Sequence, residues 1–316
     1  FSDHFDMTAR GVVRGLAVGG DGVKLAWQAL RGRSEAPKRP VLLLHGIAGA
    51  AADWGGIPKR LAEKRSVVSF DQRGIGASDA PTDLSQYSIK TLAEDAHAVM
   101  VAAWGEAGHG ADEDLKYDVV GLSLGGIVAQ ELALAAPSHV ASITLASTSV
   151  GGREAVHHIS ADFMEIVDGW LDDDGTTEAE AARRRVAAAF IVNGLPTPWV
   201  TQNVDFLKLA VDRFISADKS ALRPRAGVLG QRAAFLNYEA SAARLHDVQC
   251  RALILHGDAD AVVDAHAASA LAASLPRASL LYLAGVGHHA WIQEPVEWAD
   301  CVLRFLDEAS VYDDDE

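Results

Sequence analysis

Three short turns in this chain carry residue types that can do covalent chemistry together. Residues 119–131 read "VVGLSLGGIVAQE", with Ser123 walled in by Gly121, Gly125 and Gly126. Residues 256–260 read "HGDAD", and residues 285–289 read "GVGHH". A serine hydroxyl is a poor nucleophile near neutral pH and needs a base within hydrogen-bonding reach. Histidine supplies that base, and a carboxylate behind it fixes the imidazole tautomer and stabilises the imidazolium. On its own stretch Ser123 has two readings. It caps the helical pattern "GIVAQELALAA", or it sits at the tip of a strained strand-to-helix turn as a nucleophile, where neighbours without side chains let strand and helix pack around it. The acid turn offers Asp258 and Asp260, with Asp264 close behind, and the base turn offers His288 and His289.

Each turn follows a short apolar run: "YDVVG" (117–121), "ALILH" (252–256) and "LLYLA" (280–284). Similar runs stand at 41–45 ("VLLLH"), 66–70 ("SVVSF") and 143–147 ("ITLAS"). They lack strict alternation, which suits strands buried on both faces of a parallel sheet. Helical patterns such as "IPKRLAEKR", "IKTLAEDAHAVMVAAW" and "AHAASALAASL" lie between them. This alternation predicts an α/β fold with a mostly parallel, doubly wound sheet, opened by a hairpin of "VVRGLAV" and "KLAWQAL" across "GGDG". Reactive groups in such sheets gather outside the carboxyl ends of the strands, so the three turns should converge on one crevice.

One region breaks the rhythm. Residues 150–246 show helical patterns and no strand, which predicts a helical insertion between a first core segment (1–149) and a second (247–316). Within it, Thr177 opens a Thr-Glu-Ala-Glu capping box and Asn193-Gly194 supplies a stop. Further helices are predicted over "NVDFLKLAVDRFI" and "VLGQRAAFLNYEASAARL". "GEAGHGADEDLK" (105–116) reads as a polar, mobile surface loop, and "YDDDE" as a solvating tail.

Bulk properties exclude several partners. The 316 residues are 49% hydrophobic and 22% charged, the balance of a globular protein rather than a disordered one. Apolar stretches stop well short of a membrane span. The formal net charge of −15 disfavours nucleic acid and anionic membranes. Arg183-Arg184-Arg185 reads as a solvated helix face. Cys250 and Cys301 are too few and too far apart for a disulfide framework and are read as reduced core thiols, with cytoplasm the expected compartment. The chain starts at Phe1 without a charged-then-apolar signal segment, and an upstream piece or removed leader stays open. His157 and His158 are adjacent, hence expected to face apart on a helix, and no carboxylate spacing supports a metal pair.

The motifs together resemble the α/β-hydrolase family with a helical cap, serine-nucleophile branch. The resemblance covers nearly the whole chain and is carried by "LLLHGIAG", "FDQRGIGASD", "GLSLGG", "LILHGDADAVV" and "GVGHHAWIQEP" in the family's order and roughly its spacing. It implies Ser123 as nucleophile, His288 (directly after Gly287) as base, and Asp260 (from Gly-x-x-Asp) as acid, leaving Asp264 to cap a helix. Backbone N–H groups of Ile47 and Leu124 are implied as the oxyanion hole. His45, Leu122, Trp54 and Trp291 are the implied substrate pocket, and Phe163, Trp170, Phe190, Trp199, Phe206 and Phe235 are further aromatic residues at cap and rim. Asp71 and Arg73 in "DQRGIGASD" are expected to bind nearby loops and to take no catalytic part. No metal and no organic cofactor is implied.

Relatives that open epoxides or displace halide carry Asp at the nucleophile position, so Ser123 points to acyl transfer to water. The expected function is cleavage of a carboxylic ester or lactone of a small, largely apolar substrate through an acyl-enzyme, resembling bacterial enol-lactonases and small-molecule methylesterases. Alternatives with the same three residues are carbon–carbon bond hydrolysis, an amidase, or cofactor-free peroxidation. From another class comes a ligand sensor on the same scaffold, which predicts single-turnover kinetics. The expected partner is a small-molecule substrate, with the protein a monomer or homodimer.

Overall fold

The apolar runs become strands of one sheet, and the turns that end them lie along one edge of it. The computed structural model describes residues 11–33, 38–106, 115–170, 176–216, 222–239 and 243–312. The chain begins β1 (Val12–Val18), β2 (Lys24–Leu30), β3 (Val41–Leu44), α1 (Ile57–Leu61), β4 (Val67–Phe70) and α2 (Ile89–Glu106). β5 (Tyr117–Leu122), α3 (Leu124–Ala135) and β6 (Val140–Ala146) follow. Next come α4 (Gly152–Ala155), α5 (Ala161–Asp168), α6 (Thr177–Asn193), α7 (Thr197–Gln202), α8 (Val204–Phe214) and α9 (Arg225–Asn237). The sheet resumes with β7 (Arg251–Gly257), α10 (Ala265–Ser274) and β8 (Ala278–Leu283), closed by α11 (Ala290–Gln293) and α12 (Pro295–Tyr312).

The eight strands are ordered β1-β2-β4-β3-β5-β6-β7-β8. β1 and β2 pair antiparallel, β2 meets β4 antiparallel, and the other pairings are parallel. Successive side chains on a strand point to opposite faces. Leu42, Leu44 and Val119 therefore pack with Leu92 and Ala96 of α2 and Val128 of α3. Val41, Leu43, Val120 and Leu122 pack with Ile57 and Leu61 of α1 and Trp298 and Val302 of α12. Each such buried side chain contributes about 1.5–3 kcal/mol. The chain is an α/β protein with a mostly parallel, doubly wound sheet.

Between β6 and β7 the described residues form helices whose apolar side chains, including Phe163, Val167, Trp170, Phe190, Leu207 and Val211, cluster with Ala48, Ile75, Val262 and Val263 of the flanking segments. Three helix boundaries differ from expectation. Thr176, not Thr177, is the N-cap of α6: its backbone is extended (φ −90°, ψ 154°) and its hydroxyl accepts from the Ala179 N–H at 3.1 Å. Of two adjacent threonines, only the one outside the helix can turn its oxygen onto the free N–H groups. Helix α9 begins at Arg225 because Pro224, with φ −60°, pre-sets the entry, and it stops at Asn237 because Tyr238 is extended. The pattern "VLGQRAAFLNYEASAARL" had predicted a later start and a run well past that point.

Cys250 and Cys301 are free thiols. Among the described residues, no helix is long and apolar enough to cross a membrane. Phe1, most of the 105–116 loop and residues 313–316 of the tail lie outside the described residues.

Candidate active site

β5 runs into α3 through Ser123, whose backbone has φ 51° and ψ −118°. A non-glycine residue held there costs on the order of 1–3 kcal/mol, and the surroundings must over-determine it. The glycines do this by allowing close approach. A Cβ on Gly125 would lie 2.2 Å from the Leu44 carbonyl oxygen, and one on Gly121 would lie 2.3 Å from that of Gly125. The Ser123 N–H donates to the Ala146 carbonyl at 2.9 Å, and the Thr148 hydroxyl donates to the Ser123 carbonyl at 2.7 Å. The Ser123 side chain makes no cap hydrogen bond to α3. The Ser123 hydroxyl therefore does not cap the helix.

The acid and base turns meet through one pair. His288 Nδ1 donates to Asp260 Oδ2 at 2.8 Å. Since a carboxylate only accepts, the proton sits on Nδ1 and leaves Nε2 as the basic nitrogen. Asp260 is locked from its other oxygen, which accepts from the Val262 and Val263 N–H groups at 2.8 and 2.9 Å. A second histidine completes its surroundings. His256 Nε2 lies 3.4 Å from Asp260 Oδ2 and donates to the Val263 carbonyl at 3.0 Å. Burial alone would raise the Asp260 carboxyl. The His288 charge and hydrogen bond, with His256 and the Val263 N–H, outweigh it and hold the carboxyl below the usual range.

The other candidates of these turns have different places. Asp258 accepts from the exposed Gly285 N–H at 2.6 Å. Asp264 caps α10, accepting from the His266 N–H at 2.7 Å. His289 is buried with its N–H donating to the Gly194 carbonyl at 3.0 Å, and burial takes its imidazole down to about 3.

Neither the Ile47 nor the Leu124 N–H donates to any of the described residues. Leu124 begins α3, where the first N–H groups of a helix have no internal acceptor. The Ser123 hydroxyl also makes no hydrogen bond to a described residue, His288 included. Phe163 and Ser123 both line one pocket, and the Phe163 ring centroid is 6.3 Å from that of His288.

The pocket at Ser123 has a volume of about 440 Å³ including its open mouth. Ile127, Ile159, Phe163, Met164, Phe235 and Val263 make its apolar walls. Its one charged lining residue is Arg232, paired with Asp168 at 2.7 and 2.8 Å. None of His45, Leu122, Trp54 and Trp291 lines it, which corrects the expected pocket. Alternation along β5 turns Leu122 to the α1 and α12 face. Trp54 and Trp291 pack edge-on against His45 with centroids 4.8 and 5.3 Å away, forming core behind the 45–50 loop. Burial in this box takes His45 down to about 4.

Of the other aromatic residues, Phe163 and Phe235 reach the pocket. Trp170 and Phe190 pack on Phe214 inside the insertion, and Trp199 packs edge-on against the exposed Phe206. Asp71 accepts from the Ala51 and Ala77 N–H groups, and Arg73 binds Asp21 and Asp95, as expected of a structural turn. His157 and His158 lie on a short 3₁₀ turn rather than an α-helix, so their rings do not face apart but sit 4.0 Å from each other. Among the described residues no group of three or more His, Cys, Asp or Glu could hold a metal ion. Sequence reasoning missed Thr148, which holds the Ser123 carbonyl, and Arg232 at the pocket wall, and no local pattern marks either.

Comparison with known proteins bears on the family and the fold. The alpha/beta hydrolase fold model matches residues 39–295. The chain is 27% identical over 274 residues to the "Putative carbamate hydrolase RutD" of Caulobacter segnis, covering 87% of this chain and 93% of that protein. The esterase RhEst1 from Rhodococcus sp. ECU1013 superposes with a TM-score of 0.74 at 23% identity, covering 93% of this chain and 98% of the other. The enol-lactonase from Burkholderia xenovorans LB400 superposes with a TM-score of 0.71 at 19% identity, covering 93% and 100%. With the family model matched over residues 39–295, most of its length, the chain belongs to the α/β-hydrolase family.

Proposed function

We propose that this hydrolase cleaves a carboxylic ester or lactone of a small, largely apolar substrate through an acyl-enzyme on Ser123. One observation carries the reading: a strained serine with an uncommitted hydroxyl lines an apolar pocket whose Phe163 ring lies 6.3 Å from the ring of a histidine held by a buried, ionised aspartate. The Ser123 hydroxyl attacks the substrate carbonyl, and His288 Nε2 takes its proton. Catalytic hydrogen bonds are often long or unaligned before substrate binds, so serine and histidine close on each other in the complex. Asp260 keeps Nδ1–H in place and stabilises the imidazolium. Ile47 and Leu124 N–H groups receive the developing oxyanion. His288 then protonates the leaving oxygen, and water repeats the sequence to release the acid.

Residues 150–246 act as the cap in this reading, since α5 and α9 supply Phe163, Met164, Arg232 and Phe235 to the pocket. The apolar walls favour an acyl or alkoxy group of hydrocarbon character, with the neutralised Arg232–Asp168 pair admitting one polar atom. A carbamate, suggested by the naming of the Caulobacter segnis relative, presents the same carbonyl and is the second reading. A panel of aryl esters, alkyl methyl esters, lactones and aryl carbamates, run against Ser123→Ala, separates them. Multiple turnovers on esters or lactones that vanish in the variant are the expected result. Preference for carbamates replaces the bond assignment. A single turnover at most on every compound supports the sensor reading instead.

A further inference from the structure

The loop that carries Ile47 is gripped from outside the core. Ala48, the next residue, has φ 58°, in the left-handed region that a side chain makes costly. Both of its backbone polar groups are held by side chains of the helical insertion. The Ala48 N–H donates to Gln231 Oε1 at 2.9 Å, and Arg223 Nε donates to the Ala48 carbonyl at 2.7 Å. Gln231 is fully buried and Arg223 is 8% exposed, so water offers neither bond a substitute.

Both side chains are themselves fixed. Arg223 also donates to the Phe214 carbonyl at 2.9 Å, stacks 3.8 Å from the Phe214 ring centroid and pairs with Asp53. The same Asp53 oxygen accepts from the Ala50 N–H at 2.8 Å, so the guanidinium reaches the loop at two points. Gln231 lies on α9, which is seated on the core without slack. A Cβ on Gly227 of that helix would lie 2.0 Å from the Gly74 carbonyl oxygen. An unfavourable backbone conformation persists only where its surroundings over-determine it, and here the surroundings are Arg223 and Gln231.

We propose that Arg223 and Gln231 are positioning residues of the oxyanion hole, holding the two peptides that flank Ala48 so that the preceding Gly46–Ile47 peptide turns the Ile47 N–H toward the attacked carbonyl. The inference rests on the serine-hydrolase reading above and goes one step further. It makes α9 part of the catalytic frame rather than of a movable lid. Without the two side chains, Ala48 relaxes toward ordinary φ, the neighbouring peptides rotate, and one donor leaves the oxyanion.

A merely structural tie between insertion and core would affect stability and ground-state binding, so the test must read the transition state. Gln231→Met removes the acceptor at nearly constant volume, and Arg223→Lys keeps the charge toward Asp53 but loses the fork. Each is assayed on p-nitrophenyl acetate for kcat and KM, and with two inhibitors: a trifluoromethyl alkyl ketone, which adds Ser123 and forms an oxyanion, and the matching methyl ketone, which binds without adding. Thermal unfolding and near-UV circular dichroism establish that each variant is folded. The expected result is a kcat lower by about 10²-fold with KM little changed, since losing an oxyanion donor costs about 10²–10³. Trifluoromethyl ketone affinity should fall in proportion, with methyl ketone affinity retained. Wild-type kcat in both folded variants, or equal weakening of the two ketones, overturns the inference. If one variant does not fold, the other decides. A wild-type protein that neither turns over the ester nor binds the trifluoromethyl ketone sinks the hydrolase reading itself, which is a distinguishable outcome.

Discussion

Lowering the pH from 7 to 5 should destabilise the fold by about 4 kcal/mol through two histidines that have no part in the proposed proton transfer. Burial takes His45 down to about 4 and His289 down to about 3, while both protonate near 6.5 in the unfolded chain. The folded state therefore binds fewer protons than the unfolded one between these values. Stability is at its full value above about 6.5 and falls as the pH drops toward the folded pKa values. One pKa unit is about 1.4 kcal/mol, and pH 5 lies about 1.5 units below the unfolded value, so each histidine costs about 2 kcal/mol there. His45 is faced by Asp53, which favours its charge, and by Arg223 and His288, which oppose it. His289 is faced by His288 and His45, which oppose its charge, and by Asp260, which favours it. The buried Asp71, Asp95 and Asp118, raised by burial, work in the opposite sense as they protonate. Variants isolate the histidine share. Urea unfolding is measured at pH 7, 6 and 5 for the wild type, His45→Gln and His289→Gln. Each variant starts less stable at pH 7, but its loss between pH 7 and 5 should be smaller than the wild type's by about 2 kcal/mol. Unchanged slopes in both variants would refute the reasoning.

Backbone strain and the acid assignment give two further tests. Ser123→Ala and Ser123→Gly should both abolish turnover, but glycine accepts φ 51° freely, so it should be the more stable by about 1–2 kcal/mol. Equal unfolding midpoints for the two would mean the turn stores no strain. Asp260→Asn should lower kcat on the order of 10³–10⁴-fold by presenting the wrong partner to His288 Nδ1, whereas Asp258→Asn should leave it near wild type. The reverse pattern would transfer the acid role to Asp258.

The sheet was legible because strands buried on both faces write continuous apolar runs, and the runs at 41–45, 66–70, 117–121 and 252–256 became β3, β4, β5 and β7. The three turns stood out because glycine combines there with functional side chains at strand ends, while the choice of Asp260 over Asp258 and of His288 over His289 came from the family resemblance. The pocket was not legible. Its walls come from α3, α5, α9 and the turn before β7's partner helix α10, and an aromatic residue in a helical pattern looks the same whether it faces the pocket, as Phe163 does, or packs inside the insertion, as Phe190 does. Trp54 and Trp291 misled for the same reason: proximity to the motif in sequence does not tell which face of the sheet a ring covers. Arg223 and Gln231 act on Ala48 from 175 and 183 residues away, a relation that only the folded chain displays.

The central claim, an activated Ser123, is tested most directly by treating the folded protein with a fluorophosphonate at neutral pH and mapping the modified residue by mass spectrometry. The account predicts labelling at Ser123 that disappears in Ser123→Ala and drops steeply in His288→Gln. Absence of labelling in folded wild-type protein, labelling of a different serine, or an unchanged rate in His288→Gln would contradict it.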